Sequence, residues 1–283
     1  MGNRSSRKLR QRPLPFPLQS PIEGDSYHTP EGIPRALREY FLLGSRWSPY
    51  SFFIASVLRY RTFALEGRYS HELFAHSSLE LMHNLERCGA RFSIQGLDHL
   101  RRVRGPLVLV ANHMSTLETT LLPGLITPIK PVTFVVKESL LRGFFWGPIM
   151  RSRDPIPVTR RDPRQDLETV LNEGVKRLQE GISIIIFPQG TRSEVFDPRS
   201  FNSLGVKLAS RAGVPLMPVA LKTDFWGNGK VFRPFGAVHR DRIIHIALGE
   251  ALPVSGRGKA EHEACLAFIT GRLKEWGASI VVE

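Results

Sequence analysis

The sequence predicts an α/β fold: a central mixed, largely parallel sheet flanked by helices, with an N-terminal helical segment suited to associate with a membrane. Three observations predict it. Short apolar runs such as 107–111 and 182–186 have the length of buried strands. Such runs alternate with helical stretches, the pattern of βα units. Residues 166–180 set Leu167, Val170, Leu171, Val175 and Leu178 on one stripe with Gly181 just beyond, a helix and its stop.

Taken in order, residues 1–34 carry Pro13, Pro15, Pro17, Pro21, Pro30 and Pro34 among basic residues, which favours an extended, solvated tail. Its start, Met1-Gly2-Asn3-Arg4-Ser5-Ser6, fits the N-myristoylation pattern, against which stands a chance match in a charged tail. Residues 35–90 form the N-terminal helical segment. Within it Trp47, Tyr50, Phe52, Phe53 and Tyr60 mix with Arg46, Arg59 and Arg61, which suits either a membrane interface or a helix packed on the core. Residues 70–87 read as a helix ended by Cys88-Gly89. His71, His76 and His83 lie on it, but His71-Glu72 and His76 miss the His-Glu-x-x-His spacing by one residue, so no metal is expected.

Residues 91–283 form the third region. Strands are expected at 92–95, 107–111, 132–136, 182–187, 214–221 and 243–248, and helices near 116–123, 139–150, 166–180, 202–212 and 260–275. An apolar fraction of 42% beside 23% charged residues suits a folded rather than a disordered chain. No apolar run reaches the roughly 18 residues of a membrane-spanning helix, so any association is expected to be peripheral. The formal charge of +13 points to an anionic partner. Without an RNA-binding or zinc-finger signature, that partner is expected to be a membrane surface of anionic lipids or a phosphorylated substrate rather than nucleic acid. Two distant cysteines, Cys88 and Cys265, indicate neither a disulfide framework nor a thiolate metal site.

The chemistry concentrates in two polar turns. Asn112-His113-Met114-Ser115-Thr116-Leu117-Glu118 follows the first buried run, and Phe187-Pro188-Gln189-Gly190-Thr191-Arg192-Ser193 follows the second. Ligand sites in open α/β sheets gather at such strand ends. An imidazole with an ordinary pKa of about 6.5 takes a proton from an attacking hydroxyl near neutral pH. Glu118 could orient that ring; it could equally form a Ser-x-x-Glu capping box with Ser115. Arg192 offers a planar fork for phosphate, and Gly190 lets backbone N–H groups approach an anion. No Gly-x-Ser-x-Gly elbow occurs, which disfavours a serine acyl-enzyme. Trp226-Gly227-Asn228-Gly229-Lys230 lacks the spacing of a phosphate-cradling loop and reads as a turn.

The two turns resemble the first and third sequence blocks of the glycerolipid acyltransferases, the family of 1-acylglycerol-3-phosphate acyltransferases. Lys137-Glu138-Ser139-Leu140 with Ile156-Pro157-Val158-Thr159-Arg160 looks like the second block, and Val214-Pro215-Leu216-Met217-Pro218 opens a run similar to the fourth. The resemblance spans about residues 92–250. It implies that His113 is the general base, oriented by Glu118, and that Arg160 and Arg192, with Gly190 and Thr191, hold the acceptor's phosphate. Asn112, Ser115, Lys137 and Gln189 would support the site, while Pro215 and Pro218 would line the acyl side or fix the strand bearing it.

The implied reaction moves a fatty acyl group from a thioester, acyl-CoA or acyl-carrier protein, to the free hydroxyl of a lysophospholipid acceptor. The expected acceptor is 1-acylglycerol-3-phosphate, giving phosphatidate with no covalent intermediate and no cofactor. The expected place is the cytoplasmic side of a membrane, peripherally bound. Three residues depart from the family pattern: Glu118 where Asp is usual, Gln189 where Glu is usual, and Asp154 where Gly is usual. Asp154 could crowd its loop or set a carboxylate beside the anion site. The first two departures motivate an alternative, a non-catalytic lipid-binding or scaffold protein that retains the fold.

Overall fold

The structure is a computed structural model that describes residue 17, residues 21–230 and residues 232–281. The myristoylation reading at Gly2 lies outside the described residues, as does most of the tail. In chain order the elements are β1 (Tyr27–His28), α1 (Leu37–Phe41), α2 (Trp47–Leu65), α3 (His71–Glu86), β2 (Arg91–Gln95) and α4 (Leu97–Arg102). They continue with β3 (Val108–Ala111), α5 (Leu117–Ile126), β4 (Val132–Lys137), α6 (Glu138–Leu141), α7 (Gly147–Arg151) and β5 (Ile156–Val158). The last are α8 (Pro163–Gln179), β6 (Ser183–Ile186), α9 (Leu204–Ala212), β7 (Leu216–Lys222), β8 (Ile243–Leu248) and α10 (Lys259–Glu275).

The strands form one sheet in the order β1-β2-β8-β7-β3-β6-β4-β5. Only β1 with β2 and β7 with β8 pair antiparallel among the described strands, so the expected mixed, largely parallel sheet is present. Strand β3 sits in the middle with both faces covered, which is why its sequence is apolar throughout rather than alternating. Leu109 and Ala111 face a core built with Leu79, Leu85, Leu117 and Leu121 of α3 and α5. Val108 and Val110 face the other core, with Val170, Val206 and Ile269 of α8, α9 and α10.

The connections position the site. After β3 the chain enters α5 on one face; after the neighbouring β6 it enters α9 on the other. Where adjacent parallel strands send their chains to opposite faces, a crevice opens at their carboxyl ends. Both polar turns occupy that crevice.

Three expectations are corrected. Residues 27–29 are not part of an extended tail, because Tyr27 and His28 pair with Ile94 and Ser93, and the Tyr27 and Thr29 hydroxyls both donate to Glu86 Oε1 at 2.7 Å. The single helix over 139–150 is two, α6 and α7, since Gly147 and Pro148 open a fresh first turn. Helix α8 begins at Pro163, three residues before the expected start, because Asp162 caps it by accepting from Arg164 N and Gln165 N.

Of the two alternatives for the N-terminal helix, packing on the core is observed. Tyr50, Phe53, Val57 and Tyr60 of α2 are buried in the core at helical spacing. Its outer face still exposes Trp47, Ile54, Leu58 and Leu65. No helix among the described residues is long and apolar enough to cross a membrane.

Candidate active site

Asn112 ends β3 and is locked to β7, its side chain donating to Leu221 O at 2.7 Å and accepting from Leu221 N at 2.8 Å. The next residue is therefore held at a fixed exit angle. His113 N donates to Gln189 Oε1 at 2.8 Å, and His113 O accepts from Ser193 N at 2.9 Å, so the second turn clamps the backbone of the first. The amide at position 189 thus makes the acceptor contact that a carboxylate would make. The His113 ring stacks on Phe187 with centroids 4.2 Å apart, which leaves it one plane in which to lie.

Glu118 serves both functions that the sequence left as rivals. Its Oε2 stands 2.6 Å from His113 Nδ1. Its Oε1 accepts from Met114 N at 2.9 Å and Ser115 N at 2.8 Å, and also from the Thr223 hydroxyl. The side chain is wholly buried, whereas His113 keeps 15% of its own exposed. With Oε1 taken by three donors, Oε2 is placed to accept a proton from Nδ1, the arrangement that leaves the lone pair on Nε2. The Glu side chain thus reaches the imidazole and the turn's backbone together. Ser115 adds a bond from its hydroxyl to Thr223 Oγ1 at 2.8 Å. Thr223, buried just past β7, is a positioning residue that sequence reasoning missed.

His113 lines a cleft of about 820 Å³. One part is apolar, walled by Phe53, Val57, Tyr60, Phe74, Trp146 and Met150. The part near the histidine is basic, walled by Lys137, Arg160, Gly190, Thr191, Arg192 and Arg233. An apolar channel meeting a cationic pocket at a histidine matches an amphiphile with an anionic head. Arg233 is the second residue that sequence reasoning missed, since it lies outside all four blocks.

Arg160 has a left-handed backbone, φ 59°, uncommon for a residue with a side chain. Asp166 holds it there, accepting from Arg160 N and Thr159 N at 2.7 Å each. Arg192 donates to the Thr116 hydroxyl. Burial pulls the Arg192 pKa down; Glu118 opposes this, and the charges of Arg233 and Arg160 add to it. Arg192 therefore feels the charges of both Arg160 and Arg233. Burial also lowers Arg160, with Asp166 opposing.

Asp154 does not face the cationic pocket. Its backbone is left-handed, φ 45°, the conformation that glycine adopts freely. Its carboxylate pairs with Arg177 Nη2 of α8 at 3.0 Å, and its carbonyl accepts from Arg177 Nε at 2.9 Å. Pro215 and Pro218 do not line this cleft; they belong to the β7 segment beside β3, where Pro215 O accepts from Val108 N at 3.1 Å.

The fold and the site define a class: an α/β domain with a histidine bonded to a buried carboxylate in a cleft lined by both apolar side chains and arginines. Residues 91–222 match the family model described as Acyltransferase. A 1-acyl-sn-glycerol-3-phosphate acyltransferase of Pseudomonas aeruginosa is 27% identical over 252 residues, 88% of this chain and 91% of that protein. A chloroplastic 1-acyl-sn-glycerol-3-phosphate acyltransferase of Arabidopsis thaliana is 30% identical over 141 residues, 50% of this chain and 37% of that protein. The crystal structure of the 1-acyl-sn-glycerophosphate acyltransferase from Thermotoga maritima superposes with a TM-score of 0.63 at 19% identity, covering 87% of this chain and 100% of that one. That likeness shows a shared fold.

Proposed function

We propose that the protein transfers a fatty acyl group from an acyl thioester to the free hydroxyl of 1-acylglycerol-3-phosphate, with His113 as general base and no covalent intermediate. The family supports O-acyl transfer. The observation that carries the mechanism is the 2.6 Å bond from His113 Nδ1 to buried Glu118, which dedicates the other ring nitrogen to the cleft.

In this reading Arg160 and Arg192 hold the phosphate, and the acyl chain lies along the apolar wall. Nε2 removes the acceptor's hydroxyl proton as that oxygen bonds to the thioester carbon. Glu118 stabilises the imidazolium that forms. The tetrahedral intermediate collapses, the C–S bond breaks, and the thiolate takes the proton back from the imidazolium. A free thiol has a pKa of about 8.5, so the thiolate leaves readily and activation of the alcohol dominates the barrier. Nothing in this sequence of steps needs an enzyme nucleophile.

The same reading puts the protein on the cytoplasmic surface of a membrane. Phe41 is 83%, Leu43 91% and Phe144 71% exposed, beside Trp47, Leu58 and Leu65. Arg61 Nε donates to Phe144 O at 2.9 Å, which ties the α6–α7 connection to the end of α2 that exposes Leu58 and Leu65. Exposed large apolar side chains amid arginines suit the interface of an anionic bilayer. The test is transfer by purified protein to a panel of lysolipids from both acyl-CoA and acyl-carrier protein. Phosphatidate as the main product is expected; no diacyl product from any pair would return the protein to the non-catalytic alternative.

A further inference from the structure

Arg233 enters the cationic pocket from a loop that none of the four blocks includes. We propose that residues 226–230 and 232–238 form the acceptor's specificity element, with Arg233 supplying a third guanidinium that makes the site prefer a phosphomonoester dianion over a phosphodiester. This rests on the acyl-transfer reading above.

The loop is held on both sides of the site. Trp226 is buried edge-on against Tyr50 and Phe53 of α2, and its Nε1 donates to Pro234 O at 2.7 Å. Tyr50 Oη donates to Gly236 O at 2.7 Å. Gly227 N donates to Ala237 O at 2.8 Å and Gly229 N to Arg233 O at 3.1 Å, closing the loop on itself. That closure requires glycine: a Cβ on Gly236 would lie 2.3 Å from Gly227 O, and one on Gly229 would lie 2.2 Å from Phe232 O. Asn228 Nδ2 then donates to Met114 O at 2.7 Å, joining the loop to the residue beside His113. Arg233 is exposed as a side chain, yet its backbone is anchored to both the core and the catalytic turn.

From there Arg233 Nη1 donates to Thr191 Oγ1 at 3.0 Å, next to Arg192. The other donors of its fork make no further hydrogen bond among the described residues. The carboxylates whose charges act on Arg192 and Arg160 are engaged elsewhere, Glu118 by His113 and backbone N–H groups, Asp166 by the backbone of Thr159 and Arg160. Arg192, which donates to Thr116, therefore stands between the like charges of Arg160 and Arg233, and all three line one cleft that an anion can enter. A phosphomonoester near pH 7 carries about −1.5 to −2 charges and three terminal oxygens. A diester carries one charge and two such oxygens, so it leaves one guanidinium unsatisfied. Planar forks rather than point charges are what bidentate phosphate recognition requires.

The test compares kcat/KM for 1-acylglycerol-3-phosphate and for the corresponding 1-acylglycerol phosphodiester of glycerol, in the parent, Arg233→Gln and Arg233→Lys, at fixed physiological ionic strength. Arg233→Gln should lower the monoester value by about ten- to a hundredfold, the loss expected for one charge-assisted bond, chiefly through KM. The diester value should fall far less, so the preference collapses. Arg233→Lys should restore it only in part. An equal fall for both acceptors, or an unchanged ratio, would overturn the proposal. Should the parent acylate neither acceptor, the reaction reading fails by itself. Calorimetric titration of short-chain 1-acylglycerol-3-phosphate into His113→Ala, with and without Arg233→Gln, still decides the inference: weaker binding of the monoester alone supports it, and equal binding sinks it.

Discussion

Replacing Glu118 by Gln changes one atom type at a fixed volume, and the structure dictates two separate costs. The carboxylate accepts from His113 Nδ1, Met114 N, Ser115 N and Thr223 Oγ1. An amide has one oxygen and two N–H donors. If its oxygen faces His113, the NH₂ confronts two buried backbone N–H groups, and each orphaned donor costs about 1–3 kcal/mol. If the amide flips to satisfy the backbone, the NH₂ faces Nδ1, the imidazole proton moves to Nε2, and the base is lost. Either orientation removes the charge that stabilises the imidazolium. An amide in the corresponding place of a serine-protease triad costs about 10⁴ in kcat, so a fall of about 10³ to 10⁴ is expected here, or about 4–5.5 kcal/mol of barrier. Stability should drop by at least about 2 kcal/mol. Thiol release from the acyl donor measures the first and urea unfolding the second. A variant less stable by that amount but within tenfold of the parental kcat would refute the orienting role of Glu118 and leave only its cap.

Three further outcomes follow from the same geometry. Glu118→Asp shortens the side chain by about one bond length, so the carboxylate cannot reach the imidazole and the cap together; kcat should fall about tenfold in the same assay, and a gain would show that Glu impairs this site. Burial pushes the phenols of Tyr50 and Tyr69 up to about 12 from their ordinary 10.0. Below pH 10 both states keep these protons, whereas between pH 10 and 12 the unfolded chain releases them first, so the urea midpoint should fall across that window; a flat midpoint would contradict their burial as neutral groups. Phe41→Ser with Phe144→Ser removes two exposed rings, each contributing up to about 1.5–3 kcal/mol on full burial. Co-sedimentation with anionic vesicles should weaken by on the order of tenfold per ring, and parental binding would oppose the interfacial reading.

Much of the framework was legible because buried strands and amphipathic helices leave periodic signals. The runs that become β3 and β6 and the stripe of α8 locate the sheet and one covering layer directly. The division between α6 and α7 was written in Gly147-Pro148, a start signal that the surrounding apolar residues masked. At the site, the turns carrying His113 and Arg192 could be named, and the structure brings both to one cleft. The two meanings of Glu118 seemed exclusive in one dimension; a carboxylate has two oxygens, and each takes one role. Asp154 could not be placed because its partner, Arg177, lies on a helix 23 residues further along. Thr223 and Arg233 gave no signal, for their roles come from where β7 and the following loop return in space.

The most direct measurement is single-turnover acyl transfer to 1-acylglycerol-3-phosphate by His113→Ala, with folding checked by circular dichroism. General-base catalysis of this kind contributes about 10² to 10⁴ in rate, so transfer should slow by that factor, with no acyl-protein adduct detected by mass spectrometry in parent or variant. A folded variant that transfers at the parental rate, or a parent that accumulates a covalent acyl adduct during turnover, would contradict the account.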